Sequence, residues 1–108
     1  MLIEANAIRT DGLITVIVLG QLPTPCDEVE EVGHYPGNGM SSARVFVSVK
    51  RKPGLENINC IMGPGNIWSI NRVIRDQYSQ TVEIFINDCF VSKIRVKELT
   101  IKGIYNIH

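Results

Sequence analysis

Residues 43–52 alternate strictly, with Val45, Val47 and Val49 on one side and Arg44, Phe46, Ser48 and Lys50 on the other. A period of two is the mark of an extended strand with one buried face, because successive side chains leave opposite sides of the pleat. The pattern recurs in residues 67–75, where Trp68, Ile70, Arg72 and Ile74 fall together. It recurs in residues 80–87, where Val82, Ile84 and Ile86 oppose Glu83 and Phe85, and again in Phe90, Ser92, Ile94 and Val96. Residues 2–9 and 13–20 flank Asp11-Gly12, and Asn87-Asp88 separates two further strands. Both dipeptides are tight-turn signals between alternating runs. Residues 26–33 read as a short acidic strand, 57–62 as a short strand carrying Cys60, and 99–107 as a last alternating stretch. Pro, Gly and Asn punctuate the rest at 21–25, 35–39, 53–54 and 63–66. No helical stripe competes over more than one turn. The reading is eight or nine strands in one domain spanning 1–108, an antiparallel sandwich or barrel. Val45, Val47, Val49, Val82, Ile84 and Ile86 are its expected core, with Trp68 and Ile70 packed on them.

Composition strengthens the strand reading. The chain has 15 Ile, 11 Val and 5 Thr against 3 Ala and 6 Leu, so stiff β-branched residues far outnumber the apolar helix formers. At 108 residues it is long enough to bury a core without a staple. Eleven cationic residues balance eleven anionic ones. A net charge of zero argues against nucleic acid as a partner and against a polybasic membrane surface. No apolar run approaches the roughly 20 residues of a membrane helix. Met1-Leu2-Ile3-Glu4 leads directly into alternation without a signal-peptide pattern. The expectation is a mature exported form or else a cytoplasmic protein. Three cysteines, Cys26, Cys60 and Cys89, make no CxxC pair and allow three disulfide pairings.

The segment Gln21-Leu22-Pro23-Thr24-Pro25-Cys26-Asp27-Glu28-Val29 resembles the G-x-L-P-x-P-C-x-E-V element of a group of small, uncharacterised bacterial envelope proteins. Those proteins continue with a valine-rich strand, an R-P-G…C segment and a V-x-V-N-G hairpin. Val45 to Val49, Arg51-Lys52-Pro53-Gly54…Cys60 and Val82 to Asp88 stand in those places here. The resemblance covers about residues 13–96. It implies an immunoglobulin-like β-sandwich of about seven to nine antiparallel strands, export, and a bridge between the first two cysteines. It implies no activity. The chain departs from the pattern in Asn87-Asp88, which replaces Asn-Gly, in Cys89, and in the tail after Val96.

Cys26 and Cys60 are thus the pair to join in an exported protein, closing a loop worth between about 3 and 4.7 kcal/mol through lost unfolded-state entropy; in a cytosolic one they read as two buried free thiols. Cys89 reads as a free, partly buried small side chain, with an intermolecular disulfide as the sharper alternative. Catalytic readings do not assemble. A Cys–His pair needs hydrogen-bond reach, yet His34 lies more than about 20 Å from Cys26 along a straight strand, and His108 is the last residue. Gly39-Met40-Ser41-Ser42-Ala43 lacks the nucleophile-elbow spacing, and Ser41 and Ser42 read as turn caps. Asp27, Glu28, Glu30 and Glu31 split between the two faces of a strand, which suits a charge-protected edge rather than a metal site. Gly37-Asn38-Gly39 and Gly63-Pro64-Gly65 lack the following helix of a phosphate loop. Phe46 shares its face with Arg44 and Lys50, which makes an aromatic and cationic surface patch. No cofactor and no metal site is expected.

The function expected from this pattern is a non-catalytic protein-interaction module at the bacterial cell envelope, binding an unknown protein or its own copy. The alternative is a small immunoglobulin-like inhibitor of cysteine proteases. Its wedge would come from the loops Leu22-Pro23-Thr24-Pro25, Pro36-Gly37-Asn38-Gly39 and Gly63-Pro64-Gly65-Asn66, although the R-P-W loop of such inhibitors has no counterpart. The tail supplies a candidate interaction strand. Leu99, Ile101, Tyr105 and Ile107 share one face and Lys102, Asn106 and His108 the other. That strand is expected to pair at the edge of its own sheet or to cross to a neighbour.

Overall fold

A computed structural model describes residues 1–38, 40–60, 63 and 65–99. It contains seven strands: β1 (Leu2–Thr10), β2 (Leu13–Gln21), β3 (Asp27–Tyr35), β4 (Ala43–Arg51), β5 (Ile67–Arg75), β6 (Thr81–Ile86) and β7 (Cys89–Glu98). Residues 57–60 of the expected short strand are turn and coil, and most of the expected tail strand lies outside the described residues. No helix occurs among the described residues.

The strands form one mixed sheet in the order β3-β4-β6-β7-β1-β2-β5. Its two halves, β3–β4–β6–β7 and β7–β1–β2–β5, share β7, whose first part pairs with β6 and whose end pairs with β1. The sheet is nearly closed and barrel-like. At the remaining seam the Arg72 guanidinium of β5 donates to the Val32 carbonyl of β3. An arginine at an inward position thereby satisfies an edge carbonyl that no ladder partner reaches.

The sheet is mixed, not the expected antiparallel sandwich. β1 pairs with β7, and β4 with β6, in parallel. The chain between β4 and β6 crosses through β5 in the other half, so it returns in the direction it left, which a short hairpin cannot achieve. In the constant-type immunoglobulin arrangement the sixth strand lies beside the third. Here β4 separates them.

Both expected tight turns form. Asp11 and Gly12 have φ of 53° and 77°, and Asn87 and Asp88 of 49° and 64°. Two successive positive-φ residues match the right-handed twist of the flanking strands, and Asn and Asp tolerate that region.

The core follows the alternation. Val45, Val47, Val82 and Ile84 are buried and meet Ile14, Val16, Val18, Ile74 and Trp68. Val49, Ile70 and Ile86 pack on them from partly buried positions. Burying each such side chain contributes about 1.5–3 kcal/mol. The Trp68 ring lies over Gly20, its cross-strand partner, where an added Cβ would sit 2.1 Å from the indole.

Register slips at two places that strict alternation does not foresee. In β3, Val29 faces Val49 and Glu31 faces Ser48, so Glu30 is an extra residue. In β7, Phe90 faces Phe85 and Ser92 faces Ile84, so Val91 is an extra residue. A β-bulge of this kind inverts which side later residues face. Val29 and Val32 consequently both face the inner side, opposite Val49 and Val47, and Glu31, Gly33 and Tyr35 face outward. Phe90 moves to the outer side, away from Ser92, Ile94 and Val96, with which it was grouped.

Candidate functional site

The two bulges build one surface. The pairings Gly33–Phe46, Phe46–Phe85 and Phe85–Phe90 run straight across β3, β4, β6 and β7 on the outer face. Phe46 and Phe85 stack with centroids 4.8 Å apart and planes 17° apart. Tyr35 meets Phe46 edge-on at 5.7 Å, and Phe90 meets Phe85 edge-on at 5.8 Å. Each such contact is worth about 0.5–1.5 kcal/mol beyond area burial. The central stack serves the sheet itself. The outer rings do something else: Tyr35 stays 63% and Phe90 56% exposed. A contiguous apolar strip left in water on a folded domain marks a contact surface.

Charged rows flank the strip. On one side Arg44, Glu83 and Lys93 lie in register across β4, β6 and β7, and the Arg44 Nε is 3.4 Å from Glu83. On the other side a groove of about 320 Å³ is lined by Glu31, Gly33, Tyr35, Phe46, Ser48 and Asp88. Gly33 leaves its floor open, since a Cβ there would meet nothing within 4 Å. Two aromatic walls and two carboxylates in one shallow groove suit a cationic side chain.

The sequence placed Phe46 correctly beside Arg44 and Lys50. It did not place Tyr35 and Phe90, because the bulges that turn them outward leave little local signal. The faint signals are Val29 and Val32 three apart within a strand and three apolar or small residues in a row at Cys89-Phe90-Val91.

The cysteines divide as expected in pairing and differently in exposure. Cys26 and Cys60 form a disulfide with Cα atoms 6.2 Å apart. Cys89 is free but exposed, not partly buried. It follows the Asn87-Asp88 turn at the end of the hairpin, beyond the inner packing. With Cys26 in the bridge, its sulfur is no thiol nucleophile. His34 pairs in register with Val45, and its Nδ1 is buried without a hydrogen-bond partner.

Two of the four acidic residues between Asp27 and Glu31 go to local structure. Asp27 Oδ2 accepts from Thr24 N and Thr24 Oγ1, and Asp27 Oδ1 lies 3.5 Å from Arg51 Nε. Glu30 pairs with Lys50 at 3.7 Å. No cluster of three or more potential metal ligands occurs among the described residues. Ser41 does not cap its turn: Asn38 Oδ1 accepts from Met40 N, Ser41 N and Ser41 Oγ instead.

The three loops of the inhibitor reading do not converge. The 22–25 and 63–66 loops are joined by Leu22 N to Asn66 O and Gly65 N to Leu22 O. Gly37 lies past the other end of β3, about 30 Å away for nine extended residues, where its N–H donates to Asp76 Oδ2. Of the candidate interaction strand, Leu99 is exposed, and its N–H donates to the Arg9 carbonyl of β1, which is pairing within the chain. Ile101, Tyr105 and Ile107 lie outside the described residues.

One buried polar cluster went unnoticed in the sequence. Arg9, 8% exposed, donates to the Asp76 and Ser79 carbonyls and pairs with Glu98. The Asp76 carboxylate accepts from Gly37 N, Tyr78 N, Ser79 N and Ser79 Oγ. Burial alone pushes this carboxyl upward, but the hydrogen bonds from Ser79, Gly37 and Tyr78 outweigh it and hold the group below its ordinary 3.8. The cluster ties the 36–42 and 76–80 loops together. Its signals were an arginine at an inward position of β1 and a Ser three residues after Asp76, the spacing of a side-chain-closed turn.

No family model matches the chain, and no curated protein or solved structure matches it.

Proposed function

We propose that this chain is a non-catalytic protein-interaction module of the bacterial cell envelope, and that the aromatic strip across β3, β4, β6 and β7 is its contact surface. The observation that carries the reading is the exposure of Tyr35 and Phe90 at the ends of a packed Phe46–Phe85 stack. Sheet stability alone is served by the inner pair, whereas large exposed aromatics with charged flanks have the composition of interface anchors. The Cys26–Cys60 bridge supports the envelope half of the reading, because disulfides persist in oxidising compartments. A relation to the immunoglobulin-like sandwich is part of the same proposal and is supported by β1, β2 and β5 alone, whose neighbour order matches the A-B-E strands of that fold, while β4 between β3 and β6 departs from it.

The experiment compares the immobilised protein with its Phe90→Ser and Tyr35→Ser variants on a bacterial envelope extract. Both side chains are exposed, so the variants keep the fold. A species retained by the parent and lost by both variants supports the reading. Identical retention by all three, with no self-association of the parent, overturns it. A papain assay separates the inhibitor alternative, for which the hydrogen-bonded 22–25 and 63–66 loops are the remaining wedge. Inhibition at micromolar protein that survives Phe90→Ser would move the contact surface to those loops.

A further inference from the structure

We infer that the aromatic face pairs with the same face of a second copy of this chain, about a two-fold axis lying along the aromatic row. This rests on the interaction reading and names its partner. Arg44 and Ser48 stand two residues to either side of Phe46 on β4, as Tyr35 and Glu31 stand to either side of Gly33 on β3. A two-fold axis along the Gly33–Phe46–Phe85–Phe90 row therefore exchanges these positions between copies. It lays the rings of one copy on the rings of the other. It brings Tyr35 over Glu31 of the second copy, where the phenol can donate to the carboxylate. It brings Arg44 over Ser48 of the second copy, into the groove between Glu31 and Asp88. Lys93, in register with Glu83 on the same side as Arg44, is carried toward the Asp88 turn.

Charge selects this arrangement. Among the described residues, neither Glu31 nor Asp88 has an ion-pair partner within its own chain. The groove that holds them is walled by Tyr35 and Phe46, so it offers a guanidinium both carboxylates and ring faces. Arg44 is free to move there. Its side chain is 50% exposed and that of Glu83 24%, so their 3.4 Å pair is a partly exposed one, worth about 1 kcal/mol or less. An axis parallel to the strands would instead carry β3 onto β7 and β4 onto β6; it would set Arg44 over Glu83, but it would also set Glu31 against the Asp88 turn, carboxylate against carboxylate, and leave the groove without a cation. A self-complementary patch of this kind is what a closed two-fold dimer requires.

The size of the face sets the strength. Four strands at about 4.8 Å and three rows at about 6.7 Å give a footprint on the order of 400 Å² per copy. Twice that lies below the range of stable interfaces, so the dimer is a weak, concentration-dependent one.

Sedimentation velocity over a concentration series up to about 1 mM tests this. It is run in a Cys89→Ser background, so that an intermolecular disulfide cannot mimic the contact. The sedimentation coefficient should rise with concentration. Phe90→Ser and Arg44→Glu should each weaken the dimer by about tenfold or more. Arg44→Glu combined with Glu31→Arg should bind more tightly than Arg44→Glu alone, since the exchanged charges meet again across the axis, though short of the parent because Asp88 still faces the new carboxylate. Circular dichroism confirms that each variant keeps the fold. A chain that stays monomeric throughout overturns the inference, as does a dimer indifferent to Arg44→Glu or a double variant that binds no more tightly than Arg44→Glu alone. If the parent is monomeric while Phe90→Ser still loses a retained envelope protein, self-pairing falls and the interaction reading stands. If neither effect is seen, both fall.

Discussion

Asp76→Asn removes a charge from a side chain that is 1% exposed and turns one of its two acceptor oxygens into a donor. Each carboxylate oxygen has two donors: Oδ1 takes Tyr78 N at 3.0 Å and Ser79 N at 2.8 Å, and Oδ2 takes Gly37 N at 2.7 Å and Ser79 Oγ at 2.6 Å. An asparagine keeps the first pair if its oxygen takes the Oδ1 place. The Ser79 hydroxyl can then turn to accept, but the Gly37 N–H cannot. One buried N–H without a partner costs about 1–3 kcal/mol. The two retained bonds lose their charge-assisted strength, and Arg9 loses a counter-charge at 3.8 Å. The sum is about 2–4 kcal/mol, a large part of the 5–15 kcal/mol typical of a domain. Urea unfolding at pH 7 measures it. The pH dependence gives a second handle with a fixed sign. Because the folded carboxyl titrates below its ordinary 3.8, its contribution is complete above the unfolded value and is lost as the pH falls through the folded one. The gap between parent and variant should therefore be constant at neutral pH and shrink below about pH 4. A loss under about 0.5 kcal/mol at pH 7, or a gap that persists undiminished at low pH, would refute the account of this cluster.

Three further outcomes follow from the packing. Val47→Ala, at a site 1% exposed, should cost about 1–3 kcal/mol by chemical denaturation through the cavity it leaves. Thiol titration of the unfolded, unreduced protein should find a single reactive thiol, Cys89, and reduction should lower stability by about 3.8 kcal/mol for a closed loop of this length. Three thiols before reduction would count against the bridge. Gly20→Ala should cost about 1–3 kcal/mol, because the new methyl falls inside the indole of Trp68. Trp68 fluorescence should shift as the ring gives way, and an unmoved spectrum with unchanged stability would contradict the Trp68–Gly20 contact.

Alternation was enough to find the strands and, for β4, β5 and β6, to say which side is buried. Val45, Val47, Val82 and Ile84 are inside because a half-buried strand admits no other register without exposing them all. The tight turns were legible for a different reason: Asp11-Gly12 and Asn87-Asp88 carry the residues that tolerate positive φ. Pairing was not legible. Which strand neighbours which depends on crossovers between the halves of the sheet, and nothing local in β4 or β6 distinguishes a parallel neighbour from an antiparallel one. The Arg9–Asp76–Ser79 cluster was hidden for a related reason. Its members are 67 and 70 residues apart in the chain, and a charged residue at an inward position looks like a break in pattern until its partner is found.

The contact face shows how much rests on single residues that alternation treats as noise. Remove the extra residue at Glu30 and the end of β3 inverts. Tyr35 turns inward, and Gly33 no longer opens the floor of the groove. Remove the extra residue at Val91 and Phe90 joins Ser92, Ile94 and Val96 on the inner side. In either case the strip shrinks to the Phe46–Phe85 stack that the sheet itself uses. Both bulges lie on strands that bound this half of the sheet, and both interrupt runs whose unbroken alternation would hide an aromatic ring. Bulges re-aim side chains at a cost in regular pairing. Two of them, acting independently on β3 and β7 to expose rings beside the same stack, are the feature of this fold that core packing alone does not require.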